Sequence, residues 1–266
     1  MGKIERGISD ITSVRRGQTA VSKVYRGQSL IWEPGGGGGG WVTDQLYSYY
    51  DPFDSVISGA TLTDLSGNGR TATLVGTWSV DSLGFVFTTR GSSAPYMTFS
   101  SPNFDGAAFS FEVWFRVATS STYDSEPNII SYYDGNRQQA IGFKAGGESN
   151  ISFGQLQNQA GTSAELKYTG GGSVINSTWY QYVLTVPASG TARYYRNATQ
   201  VVTNTNPGGD LYGTVTTLSY GGTVGPGTFR RGFSNARGGL VRIYTKELSS
   251  TEVTQNFNAN KADYGL

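Results

Sequence analysis

The 266-residue sequence has no cysteine and no histidine. Without cysteine there is no disulfide, no thiolate nucleophile and no zinc–thiolate centre. Without histidine, Ser-His-Asp triads, imidazole general bases and His-ligated metals are excluded together. Charge is also scarce: Asp, Glu, Lys and Arg make up 15% of the chain and sum to a formal +1. Neither a basic field for nucleic acid nor an acidic solvating tail is present. No stretch approaches the ~18 apolar residues of a membrane-spanning helix. The opening "MGKIERGISD" is charged and lacks the apolar core of a secretory signal. The expectation is a chain made soluble in the cytoplasm, with no membrane insertion and no nucleic-acid partner.

What the sequence does contain is glycine (38 residues) and tyrosine (17), with abundant Thr and Ser. That composition predicts strands joined by many turns. "VRRGQTAV" and "VYRGQSLI" repeat one unit ten residues apart. A glycine at the first central position suits a two-residue hairpin turn, which predicts a meander over 10–16, 19–26 and 29–33. In that register Arg16 faces Thr19, Val14 faces Val21, Tyr25 faces Leu30 and Val24 faces Ile31. One face then carries Val14, Val21, Tyr25, Leu30 and Trp32, and the other Ile11, Val24 and Ile31. A ribbon this small with two apolar faces cannot form its own core, so these eight residues are the expected anchor on another protein. Pro34 and the six glycines Gly35–Gly40 follow, a flexible tether spanning roughly 12–15 Å. The domain expectation is an anchor at 1–34, a linker at 35–40 and a large domain at 41–266.

In the large domain "AFSFEVWFRVA" alternates. Phe109, Phe111, Val113, Phe115 and Val117 point one way, and Glu112, Trp114 and Arg116 the other, as in a half-buried antiparallel strand. Further strands are predicted at 71–76, 84–88, 96–100, 128–133, 140–144, 150–155, 164–169, 179–187, 191–197, 199–203, 216–221 and 238–245. The fold class is all-β, a two-sheet sandwich or jelly roll. Near the end Ser249 and Glu252 form a capping box, Leu248 and Val253 a hydrophobic staple, and Val253 with Phe257 an apolar stripe.

Two resemblances sharpen this. "LTDLSGNGRTATLVG", "FSFEVWFRV", "IISYYDGNRQQAIGFKAGGE", "STWYQYVLTVPASGTARYYRNATQVV" and "GGLVRIYTKELSSTEVTQNFNANKADYGL" follow the order of a laminin-G-like, concanavalin-A-like jelly roll. The N-terminal pattern ending in Trp-Glu-Pro and glycines resembles the leading segments of structural proteins of tailed bacteriophages. That resemblance implies other virion proteins, in capsid or tail, as partners and the virion as location.

Some relatives of this fold are glucan hydrolases, whose acids come from one strand as Glu-x-Asp-x-x-Glu. No such triplet occurs, and the nearest pair, Asp124 and Glu126, precedes Pro127, so no enzyme is expected. Asp64 and Asn68 in "DLSGNG" offer oxygen donors to calcium; the alternative is that Asp64 caps a turn made by Gly67 and Gly69. No other cofactor is implied. Tyr132, Tyr133, Asp134, Asn136 and Arg137 combine aromatic and amide groups beside Gly135 and are candidates for carbohydrate; the alternative is turn packing. The functional expectation is a virion structural protein (capsid decoration, knob, tail or fibre component) displaying a lectin-like domain toward host cell-surface glycans. The alternative is a free carbohydrate-binding module that forms homo-oligomers through its N-terminus.

Overall fold

The computed structural model describes residues 15–16, 19–20, 24–26, 29–32, 40–89, 94–102, 104, 106–119, 128–133, 137–144, 151–157, 163–168, 177–205, 217–222 and 232–266. The chain divides into two compact units, Met1–Val42 with Gln255–Leu266, and Thr43–Thr254.

In the first unit, β1 (Arg15–Arg16) pairs with β2 (Thr19–Ala20), and β3 (Val24–Arg26) with β4 (Ser29–Trp32). Among the described residues these are two separate two-stranded ladders, and residues 21–23, which would join β2 and β3 as the middle strand of the expected meander, lie outside the described residues. The pairs Arg16 with Thr19, Arg26 with Ser29 and Tyr25 with Leu30 stand as expected. Val24, however, faces Trp32 instead of Ile31, because a bulge falls between Val24 and Tyr25. An extra residue in one strand re-aims everything beyond it, so Trp32 takes the position across from Val24. Ile11, Val14 and Val21 lie outside the described residues. At the other end of this unit, Asn256 accepts from the Val42 N–H at 2.7 Å and Gln255 donates to the Gly40 carbonyl at 2.6 Å. A 3-10 turn, Lys261–Tyr264, ends at Gly265 with φ 73°.

The second unit is an antiparallel sandwich. Its strands are β5 (Leu46–Tyr50), β6 (Ile57–Ser58), β7 (Thr61–Leu62), β8 (Ala72–Val75), β9 (Val80–Asp81), β10 (Gly84–Phe87), β11 (Tyr96–Ser100) and β12 (Phe109–Val117). After them come β13 (Asn128–Tyr133), β14 (Arg137–Lys144), β15 (Ile151–Gln157), β16 (Ser163–Tyr168), β17 (Trp179–Val186) and β18 (Thr191–Arg196). The last are β19 (Thr199–Thr205), β20 (Thr217–Tyr220) and β21 (Ala236–Tyr244). One sheet runs β19-β18-β17-β12-β21-β10-β9, with β5 also paired to β21; the other runs β16-β15-β14-β13-β20-β11-β8-β7-β6. The all-β jelly-roll expectation holds, and each predicted strand has its counterpart within a few residues.

The core lies between the sheets. Phe109, Phe111, Val113, Phe115 and Val117 of β12 enter it as their alternation predicts, beside Tyr50, Phe85, Phe87, Leu184 and Tyr220. The opposite side of β12 departs from expectation, because Ser110, Glu112 and Trp114 are also fully buried. Ser110 Oγ donates to the Lys246 carbonyl and accepts from the Leu248 N–H, both at 2.9 Å, so the chain after β21 folds over that side. Helix α1 (Ser250–Asn260) then begins at the predicted capping box. Glu252 N–H donates to Ser249 Oγ at 3.2 Å, and Ser249 N–H donates to Glu252 Oε2 at 2.8 Å. Its buried positions are Val253, Asn256, Ala259 and Asn260, while Phe257, expected in the apolar stripe, is only half-buried.

Candidate ligand-binding end of the sandwich

Asp64 organises one end of the sandwich. Its Oδ1 accepts from the N–H groups of Tyr49 and Ser66, each at 2.9 Å. Its Oδ2 accepts from Ser66 Oγ at 2.7 Å and from the Arg70 N–H at 2.9 Å. The carboxylate is thus filled by four donors, tying the turn 64–70 to β5, with Gly67 and Gly69 at φ +84° and +71°. This is the turn-capping geometry. Asn68 does not aim its oxygen at Asp64: its Nδ2 donates to the Leu46 and Tyr47 carbonyls at 2.8 and 3.1 Å. Asp64→Asn sets an NH2 group against N–H donors on one side of the carboxamide. The expected loss is about 1–3 kcal/mol of stability, equal with and without calcium. Thermal melts in the two buffers check it, and a gain from calcium confined to the native protein would give Asp64 a cation-binding role.

The same turn positions Arg70. Its guanidinium lies over the Tyr47 ring, 3.9 Å from the centroid, and Nη1 donates to the Tyr47 carbonyl at 3.1 Å. Its own carbonyl accepts from the Tyr50 hydroxyl. Both backbone groups and one corner of the side chain are therefore fixed, and the residue stays partly exposed. Tyr47 carries the site across the sandwich, since its hydroxyl reaches Ser100 Oγ at 3.4 Å.

Ser100 closes a row that includes part of the sequence-predicted carbohydrate site. Phe99 faces Leu218, Leu218 faces Tyr132, and Tyr132 faces Gln138. Ser100, Thr217, Tyr133 and Arg137 are the next residues outward on those four strands, at one end of the sheet. The backbone of the β13–β14 hairpin is thus placed at the same end as Tyr47, Asn68 and Arg70. Asp134 and Asn136 lie outside the described residues. Composition and spacing did not single out Tyr47 or Arg70. The available signal was an arginine immediately after the Gly-Asn-Gly turn and a tyrosine in "LYSYY".

A second charged cluster is sealed away. Tyr49, Arg242 and Glu112 face one another directly across β5, β21 and β12. Arg242 Nη1 is 3.5 Å from Glu112 Oε2, and Gln181 Nε2 donates to Glu112 Oε1 at 2.7 Å. All three side chains of the Glu112–Arg242–Gln181 group belong to residues with no exposed surface. Burial pulls Arg242 down, but Glu112, Tyr244 and Tyr49 outweigh it and the net shift is upward, so the guanidinium stays charged. Burial raises Tyr49 and Asp51. This group offers a ligand nothing. Among the described residues no three Asp or Glu side chains gather into a metal-binding cluster.

Residues 90–254 match the family model of the concanavalin A-like lectin/glucanases superfamily, a laminin-G-type model. The chain belongs to this superfamily. No curated protein sequence matches it. Solved structures with a similar fold include the binding domain of botulinum neurotoxin DC in complex with SialylT. That comparison gives 16% identity and a TM-score of 0.62, over 82% of this chain and 52% of the other. The same toxin domain in complex with rat synaptotagmin II gives 15% and 0.61 over equal shares. A structure of botulinum neurotoxin type C, whose cell entry depends on two ganglioside molecules, gives 16% and 0.61 with 82% and 52% coverage. The chain spans about half the length of these proteins, and at such identities the likeness is one of fold. No helix among the described residues is long and apolar enough to cross a membrane.

Proposed function

We propose that the chain is a non-enzymatic display protein of a tailed-bacteriophage virion, a capsid decoration, knob, or tail or fibre component. In this reading residues 1–34 dock on other virion proteins, the glycines 35–40 act as tether, and the jelly roll meets host-surface glycans. Weak single-site binding is multiplied by many copies on one particle. The observation that carries the binding half is membership of the concanavalin A-like lectin/glucanases superfamily combined with the partly exposed, hydrogen-bonding end at Tyr47, Asn68, Arg70 and Ser100. A toxin binding domain in complex with SialylT, and a toxin whose cell entry depends on two ganglioside molecules, have a similar fold, which supports a sugar as ligand class. The virion half rests on the repeated Arg-Gly-Gln hairpins and the apolar positions beside them.

The test uses full-length protein and particles lacking it. Native protein is expected to pellet with the particles, whereas Leu30→Asp combined with Trp32→Asp stays in the supernatant with an unchanged far-ultraviolet spectrum. If native protein fails to pellet, the virion reading falls. Binding on a glycan array together with N-terminus-dependent oligomers would then establish the free lectin-like module in its place.

A further inference from the structure

Arg70 is held more firmly than a surface arginine requires, and only part of its donor set is used. Its backbone N–H is on Asp64 and its carbonyl on Tyr50. Its guanidinium plane rests on Tyr47, and among the described residues only Nη1 has an acceptor. Among the described residues no other polar group takes the N–H groups of Nε and Nη2. A guanidinium whose rotamer is already fixed loses little entropy on binding, and its remaining edge presents two parallel N–H groups. That edge matches a carboxylate.

The neighbouring groups supply what a sugar ring needs. Asn68 spends its Nδ2 on the Leu46 carbonyl and on the same Tyr47 carbonyl that holds Arg70. The two side chains therefore converge on one atom, and the Asn68 Oδ1 remains as an acceptor. Ser100 Oγ accepts from Tyr47 and keeps its own proton to donate. A Cβ built at Gly67 or Gly69 meets nothing within 4 Å, so the turn leaves open space around Asn68. Cation, acceptor and hydroxyl donor thus lie along Tyr47, from its carbonyl to its hydroxyl.

We infer that Arg70, Asn68 and Ser100 form a subsite for a carboxylated sugar, with the carboxylate on the Nε–Nη2 edge of Arg70 and a ring hydroxyl on Asn68 Oδ1. This rests on the glycan-binding reading above and specifies its ligand class. Sialic and uronic acids share the chemistry, and separate arms of the experiment distinguish them.

Isothermal titration of the full-length chain with lactose, a sialyl-terminated lactose and a glucuronate-terminated disaccharide tests it. At least one acidic sugar is expected to bind tenfold or more tightly than lactose, with that preference shrinking as sodium chloride is raised. Arg70→Gln abolishes the preference, read as the ratio of acidic-sugar to lactose affinity measured on the same variant. Arg70→Lys keeps the charge without the fork and retains a small part. Asn68→Ala lowers acidic-sugar affinity with Arg70 in place, a result that does not depend on the Arg70 variants folding normally. A preference that survives Arg70→Gln, or lactose binding as tightly as both acidic sugars, overturns the subsite and leaves the glycan reading standing. If none of the three sugars binds, both fall.

Discussion

Arg242→Leu is expected to lower the unfolding free energy by about 3–5 kcal/mol, the cost of breaking a buried pair from one side. Glu112 has no exposed surface, and without Arg242 its carboxylate keeps the Gln181 carboxamide donor at 2.7 Å but loses the guanidinium charge beside it. Water cannot replace the cation there, so the stranded charge carries the full desolvation penalty. The remedy follows from the same argument. Combining Arg242→Leu with Glu112→Gln removes both charges, preserves an oxygen for Gln181, and is expected within about 1–2 kcal/mol of the native protein. Urea midpoints at constant slope, arranged as a double-mutant cycle, measure this. The control is Arg237→Leu. Its partner Asp81 sits at 2.8 Å, yet the two side chains are 19% and 38% exposed, and a solvated pair contributes roughly 0–1 kcal/mol. Equal losses at Arg242 and Arg237 would refute the sealed-network account.

The same cluster marks where local sequence information ends. The alternation of β12 gave its core side correctly, because period 2 is a local property. Ser110 and Glu112 sit on the side that alternation assigns to solvent, and they are buried because the 246–248 segment folds over Ser110 and Arg242, 130 positions later, pairs with Glu112. No window around β12 contains that partner. Strand β5 was missed for a related reason: "LYSYY" has no alternation, and its strand character comes from pairing with β21. The bulge at Val24 is equally invisible to a period-2 reading, which placed Ile31 where Trp32 stands. Turn chemistry was more legible. Asp64 was located at its turn from Gly67 and Gly69 alone, and the Ser249–Glu252 box from two residues. Arg70 was not singled out, since its stacking partner Tyr47 lies 23 positions earlier and enters through the Asp64 cap. The candidate site was therefore half readable: its scaffold is local, and its cation is placed by long-range contact.

Gly221→Ala and Gly238→Ala are expected to rank with Arg242→Leu, for a reason opposite to lost contact. The core around Phe87 is built on glycine surfaces. Phe87 meets Tyr220 edge-on at 5.7 Å between centroids, Phe115 at 5.6 Å and Trp78 at 5.4 Å. A Cβ on Gly238 would lie 2.8 Å from Tyr220 Cζ and 2.9 Å from Phe87 Cε2. One on Gly221 would lie 2.5 Å from Phe87 Cζ, at a residue whose φ is +85°. Phe87 and Tyr220 are both fully buried, so neither ring can swing into solvent to make room. Overpacking of this kind costs about 1–3 kcal/mol, and a left-handed backbone on a residue with a side chain adds roughly 1–2 kcal/mol. Gly221→Ala, bearing both penalties, is expected to lose about 3–5 kcal/mol and Gly238→Ala about 2–3 kcal/mol. Gly67→Ala separates the two effects. Its φ of +84° matches Gly221, but nothing lies within 4 Å of its Cβ, so it should show the backbone cost of about 1–2 kcal/mol alone. Thermal melts of the three alanine variants supply the ordering Gly221 worst, then Gly238, then Gly67. If Gly221→Ala melts with Gly67→Ala, the rings around Phe87 yield, and the core at this point is held less tightly than its geometry requires.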